Sequence, residues 1–311
     1  MVELTEDNLI STLMSLKDEQ DKNYIKEGWF DGIDMKNLFK DNENKYKTSI
    51  IDCINNCTSP SPNKKDFENK EEDFIKEKLK LIFKAFSLFE PSKTKVLILG
   101  QDPYTDKEEG KATGLAFLLN REVNKNDSLY YILKAINRNK DFTPKKPNMK
   151  EINTWLKESK VLLLNTSLTY DTTSSKSNRI SCWKLFITQI IKKIFNNERK
   201  NSIEIYLWGG EAQNTFFQIL NEINNKDLIQ DIILNEKFPS NRKRNDNKGF
   251  KNSVVTDKCS VTVENKNLTI FLSVHPSKLN DINNRKFDYN EQFEDKEYWK
   301  VLLERKIYNY E

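Results

Sequence analysis

Histidine is almost missing from this chain. His275 is the only one in 311 residues, so any imidazole chemistry must be done there. Cysteine is sparse as well, at Cys53, Cys57, Cys182 and Cys259. Only the first two are close, as C-x₃-C in a segment with helical patterning, which favours structural or free thiols over a metal or iron–sulfur site. No run approaches the ~18 apolar residues that a membrane span requires. The N-terminus, "MVELTEDNLISTLMSLKDEQ", is acidic and amphipathic, unlike a secretory signal or an Arg-rich transit peptide. An intracellular, soluble location is therefore expected, with cytoplasm and nucleus not distinguished. A strong charge imbalance is absent too: 51 Lys+Arg against 47 Asp+Glu leaves +4, too mild to identify a polyanion partner unless the cations cluster. There is no internal repeat.

What remains is the profile of a globular protein, 37% hydrophobic and 32% charged, long enough for one α/β domain with extensions. Residues 1–70 read as a helical N-terminal extension that ends in the loop "TSPSPNKKDFENKEED". The main domain follows over 71–311. A helix is expected from about Glu72 to Phe86, because Ile75, Leu79, Ile82, Phe83 and Phe86 share one face at helical spacing.

Four short runs are nearly free of charge: "KVLILG" (95–100), "KVLLLN" (160–165), "IEIYLWGG" (203–210) and "LTIFLSVHPS" (268–277). Such runs suit strands buried on both faces of a parallel sheet. Helical patterns separate them, one opened by Ser128 and another capped by Ser181. The expected fold is therefore α/β, a three-layer α/β/α domain around a central four-stranded, mainly parallel sheet. Between the third and fourth runs, residues 235–267 form a polar insertion with Arg242, Lys243, Arg244, Lys248 and Lys251. It reads as a solvated loop, with phosphate binding as the functional alternative.

The polar residues sit where chemistry is expected. Ligands of open parallel sheets bind beyond the carboxyl ends of the strands. The first run ends in Gln101-Asp102-Pro103-Tyr104, the second in Asn165 and the fourth in His275-Pro276-Ser277. An acid, an amide and the single imidazole are thus expected at one sheet edge.

The motifs "GQDPY" (100–104), "GLAF" (114–117), "LLLNTSLT" (162–169), "LWG" (207–209) and "HPSKL" (275–279) resemble, in order and spacing, those of the family 1 uracil-DNA glycosylases. The resemblance covers about 90–293. It implies a monofunctional hydrolase that flips deoxyuridine out of single- or double-stranded DNA and cleaves its N-glycosidic bond, leaving an abasic site. It assigns Asp102 to water activation and oxocarbenium stabilisation, and His275 to a hydrogen bond on uracil O2. Gln101, Tyr104, Phe117 and Asn165 would hold the base: Asn165 reads N3–H and O4, Phe117 stacks, and Tyr104 blocks a thymine methyl. Ser128, Ser277 and Lys278 would contact DNA phosphates, and Leu279 would wedge into the duplex. No metal or organic cofactor is implied. DNA and proteinaceous uracil-DNA glycosylase inhibitors are the implied partners of a monomer.

The chain departs from the family at three places. Thr105 replaces a histidine, Asn126-Asp127 replaces a proline pair and sets a negative charge before Ser128, and Lys278 and Asn280 replace a proline and a serine. Two other readings share the fold: a glycosylase for another modified pyrimidine, and a non-catalytic DNA-binding scaffold.

Overall fold

A computed structural model describes residues 5–16, 24–40, 49–68, 70–104, 111–137, 146–173, 175–196, 202–224, 257–263 and 266–277, together with Phe287, Phe293, Lys296, Tyr298, Trp299 and Leu302. Helices α1 (Glu6–Ser15), α2 (Met35–Lys40), α3 (Ile50–Asn55) and α4 (Glu71–Ile82) precede strand β1 (Val96–Gly100). Then come α5 (Ser128–Ile136), α6 (Met149–Ser159), β2 (Val161–Asn165), α7 (Lys176–Phe195), β3 (Ser202–Trp208), α8 (Gly210–Asn224), β4 (Asp257–Val263) and β5 (Lys266–Ser273). No helix among the described residues is long and apolar enough to cross a membrane.

The sheet order is β2-β1-β3-β5-β4. β1 pairs in parallel with β3, and β3 with β5. At one end of β1 the Lys95 and Val96 N–H groups donate to Lys160 O (3.0 and 3.2 Å). At the other end Ser167 N–H donates to Gln101 O (2.9 Å), so β2 runs parallel as well. Every residue of β1 and β2 is buried, as the charge-free runs require. The four expected parallel strands are present and the fold is α/β.

β4 is an addition. It pairs antiparallel with β5 from Asp257↔Leu272 to Val263↔Lys266, inside the segment read from sequence as a polar loop. "DKCSVTV" lacks a charge-free run because an edge strand need not be apolar on both faces. Residues 235–256 of that insertion, with its basic cluster, lie outside the described residues.

The chain divides into two compact units: Met1–Lys93 with Gln101–Asn120 and Leu163–Asn197, and Thr94–Gly100 with Arg121–Leu162 and Glu198–Glu311. The core of the first is aromatic. Phe30 and Phe186 meet each other, and each meets Phe83 and Phe86, edge-on at 5.6–5.8 Å between ring centres, and Trp29 donates to Phe89 O (2.6 Å). The expected helix at 72–86 closes at Ile82 and gives way to a 3₁₀ turn at Lys84–Ser87. Cys53 and Cys182 form a disulfide across 129 residues. Cys57 is buried, which pushes its thiol pKa upward.

In the second unit Glu204, on β3, gathers the C-terminal segment. Lys296 Nζ reaches its Oε1 at 2.6 Å, and the hydroxyls of Tyr298 and Tyr206 donate to Oε2 (2.7 and 3.0 Å). Burial pushes both phenol pKa values upward, seconded by Glu204 for Tyr206 and by Tyr206 and then Glu204 for Tyr298, keeping them neutral donors. Trp299 packs near Trp208 and Phe293, and its neighbour Trp155 donates to Tyr298 O (2.7 Å).

Candidate active site

Gly100 ends β1, and the next carbonyl is pinned twice. Gln101 O accepts from Ser167 N–H (2.9 Å) and Thr166 Oγ1 (2.7 Å), which ties the chain leaving β1 to the chain leaving β2. Asp102 is thereby projected from a fixed backbone. Its Oδ1 accepts from Gln101 Nε2 and its Oδ2 from Arg179 Nη2, both at 3.0 Å. The Arg179 and Asp102 side chains are 9% and 14% exposed, so this charged pair is nearly desolvated. Asn165 is buried at the end of β2, beside fully buried Thr166 and Ser167.

Tyr104 and Phe117 are brought together: the tyrosine hydroxyl donates to Phe117 O (3.3 Å). The "GLAF" loop is closed by an Ala112↔Leu119 bridge and braced inside by Thr113 Oγ1, which donates to Leu118 O and accepts from Leu115 N–H (both 3.2 Å). Phe117 is held at φ +64°, unusual for a bulky residue and typical of strain retained at functional positions. Gly114 makes this turn possible. It has φ +77°, and an added methyl would overlap the Leu81 carbonyl oxygen. Gly114→Ala is therefore expected to destabilise the chain by about 2–4 kcal/mol, because neither the φ nor the backbone contact can be relieved locally. Chemical denaturation of the two proteins checks this; an unchanged midpoint would mean that the loop can move off α4.

In the second unit, His275 follows β5 by two residues and is half-buried. Gly209, at the end of the "LWG" motif, lies against it with φ +103°, and a Cβ there would stand 3.0 Å from His275 Cβ. Gly209 N–H and Gln213 Nε2 both donate to Ser273 O (2.9 and 3.1 Å), fixing the strand end that carries the imidazole. Ser128 is half-buried and is the first residue of α5; Asp127, not Ser128, occupies the cap position. The Asp127 carboxylate is gripped by Arg121 through two nitrogens at 2.6 Å and by Asn124 N–H at 2.8 Å. The negative charge expected to face incoming phosphate is thus internally paired. Ser277 is half-buried, while Thr105, Lys278 and Leu279 lie outside the described residues.

The family model for the uracil DNA glycosylase superfamily matches residues 86–302. The chain belongs to that superfamily. It is similar to the uracil-DNA glycosylase of Campylobacter hominis, 38% identical over 133 residues, which is 43% of this chain and 54% of that protein. The Francisella tularensis uracil-DNA glycosylase is 35% identical over 160 residues, 51% of this chain and 66% of that protein. The chain thus spans 54–66% of the length of these curated relatives. Among solved structures, mimivirus uracil-DNA glycosylase aligns with a TM-score of 0.35 and 20% identity, covering 49% of this chain and 58% of that one.

One residue of this superfamily member escaped sequence reasoning. Arg179 lay in "TTSSKSNRIS", read as the approach to a helix capped by Ser181, whereas α7 begins at Lys176. Its partner Asp102 is 77 residues away, beyond the reach of any local pattern.

Proposed function

We propose that this chain excises uracil from DNA by hydrolysing the N-glycosidic bond of a flipped-out deoxyuridine. The observation that carries this reading is the Asp102 carboxylate, nearly desolvated and held at both oxygens at the end of β1, in a chain of this superfamily. Cleavage leaves positive charge on the sugar and negative charge on the base. A fixed carboxylate stabilises the former and orients or deprotonates water. His275 donates to uracil O2 as that oxygen gains charge. Asn165 accepts from N3–H and donates to O4, with Gln101 beside it, Phe117 stacks on the base, and Tyr104 excludes a 5-methyl group.

Ser128, Ser277 and Lys278 hold phosphates, and Leu279 fills the space the flipped nucleotide leaves. The partners are single- and double-stranded DNA, and the working unit is a monomer. A mimivirus UNG has been crystallised with UGI, and proteinaceous inhibitors of that kind are proposed as further partners.

The test is direct. Purified protein is incubated, without added metal, with single- and double-stranded oligonucleotides containing one uracil. Free uracil and an alkali-labile abasic site are expected; intact DNA after prolonged incubation with excess protein overturns the reading. Release of another modified pyrimidine in preference to uracil would move the assignment within the family. Gly209→Ala refines the role of His275. The added methyl crowds the imidazole carrier, and turnover should fall roughly 10–100-fold, the scale of an ångström-level misplacement. Unchanged turnover would separate His275 from the chemistry.

A further inference from the structure

Arg179 holds the Asp102 carboxylate from a platform that is itself tied by hydrogen bonds. Its Nη2 donates to Asp102 Oδ2 (3.0 Å), while Nη1 donates to Asp171 O (3.3 Å). The guanidinium carbon lies 4.2 Å from the centre of the Tyr170 ring. Tyr170 is locked in turn: its N–H donates to Ser59 O (2.7 Å), and its carbonyl accepts from Thr58 and Ser59 N–H (2.8 and 3.1 Å). The start of α7 is tied down by Trp183 Nε1, which donates to Thr169 Oγ1 at 2.8 Å.

We propose that Arg179 is a positioning residue for base excision, fixing the plane of the Asp102 carboxylate so that its remaining lone pairs direct water at the sugar. This rests on the reading of Asp102 given above. The terminal torsion of an aspartate is broad and roughly two-fold, so an unheld carboxylate rotates. Gln101 at Oδ1 and Arg179 at Oδ2 grip opposite oxygens, and rotation breaks both bonds. A carboxylate offers about four acceptor positions; two are used here, leaving two for water. Arginine suits the task and lysine does not. A planar fork reaches two acceptors while stacking on a ring, whereas an ammonium is a point charge on a flexible stem. The N-terminal region also gains a role, because Thr58 and Ser59 brace the tyrosine under the guanidinium.

The arrangement has a signature in charge. Arg179 stands near the place where a sugar cation develops, so its positive charge is harmless only while Asp102 is ionised. Removing Arg179 should therefore slow the wild-type reaction but speed the reaction of Asp102→Asn. Uracil release by the full chain, measured for wild type, Arg179→Gln, Arg179→Lys, Asp102→Asn and the Asp102→Asn/Arg179→Gln double variant, tests this. Arg179→Gln is expected to lower kcat roughly 10–100-fold, with KM within about threefold. Arg179→Lys should recover only part of that loss, and the double variant should exceed Asp102→Asn.

A raised KM with unchanged kcat would make Arg179 a phosphate contact and overturn the proposal, as would effects that simply multiply. Equilibrium unfolding of the same set is independent of activity. The two substitutions should depart from multiplicative effects on the unfolding constant by about fivefold or more. Strict multiplication removes the pair itself. A wild-type chain that releases no uracil, with the unfolding coupling intact, refutes the functional reading and leaves the pairing standing.

Discussion

Asp102→Asn is expected to lower the rate of uracil release by roughly 10²–10⁴-fold, the range associated with a positioned acid–base group. The replacement is nearly isosteric, so the pinned backbone at Gln101 and the packing of β1 should survive. Two things are lost together. The amide cannot take a proton from water, and the negative charge that offsets a cationic sugar disappears. The buried Arg179 guanidinium also remains, 9% exposed and without its carboxylate, so the local field becomes positive where a cation must form. Breaking a buried pair by removing one partner costs stability as well, about 3–5 kcal/mol in fully buried cases and less here, where part of the pair reaches water. Single-turnover release and a thermal melt separate the two effects. A variant that keeps most of the wild-type rate would place water activation elsewhere.

Asn165→Asp is expected to remove most of the discrimination between uracil and cytosine. An amide in one orientation accepts from N3–H and donates to O4, whereas a carboxylate only accepts and must repel O4. Asn165 is 5% exposed, so a mismatched polar group there cannot be rescued by water. Sites of this kind discriminate by about 10⁴–10⁵. Uracil release should fall steeply, and the ratio of uracil to cytosine release from matched single-stranded oligonucleotides should shrink by orders of magnitude. An unchanged ratio would assign base reading to another group.

The residues expected to touch the base were legible for a physical reason. A strand buried on both faces must be almost free of charge, so "VLILG" and "VLLLN" announced themselves, and the polar residue ending each run stood out. β4 was not legible, because an edge strand obeys no such rule and "DKCSVTV" sits among polar residues. The start of α7 was misplaced by six residues because Ser181 attracted the cap assignment while the helix begins at Lys176. Asp127 shows the same limit in electrostatics. In sequence it is an acid in front of Ser128, while in space it is a carboxylate doubly bound by Arg121, six residues before it.

By itself, then, the sequence determined the four parallel strands and the family, and it nominated Asp102, Tyr104, Phe117, Asn165 and His275 as candidates, because those features depend on residue type and local order. Only the tertiary structure decided what holds them. The Arg179–Asp102 pair spans 77 residues and the Cys53–Cys182 disulfide 129. Gly114, held at φ +77° in the loop that carries Phe117, is pressed against the Leu81 carbonyl, 33 positions earlier (114 − 81). Contacts between residues far apart along the chain leave no period and no spacing to read, since their energy exists only once packing has brought the partners together.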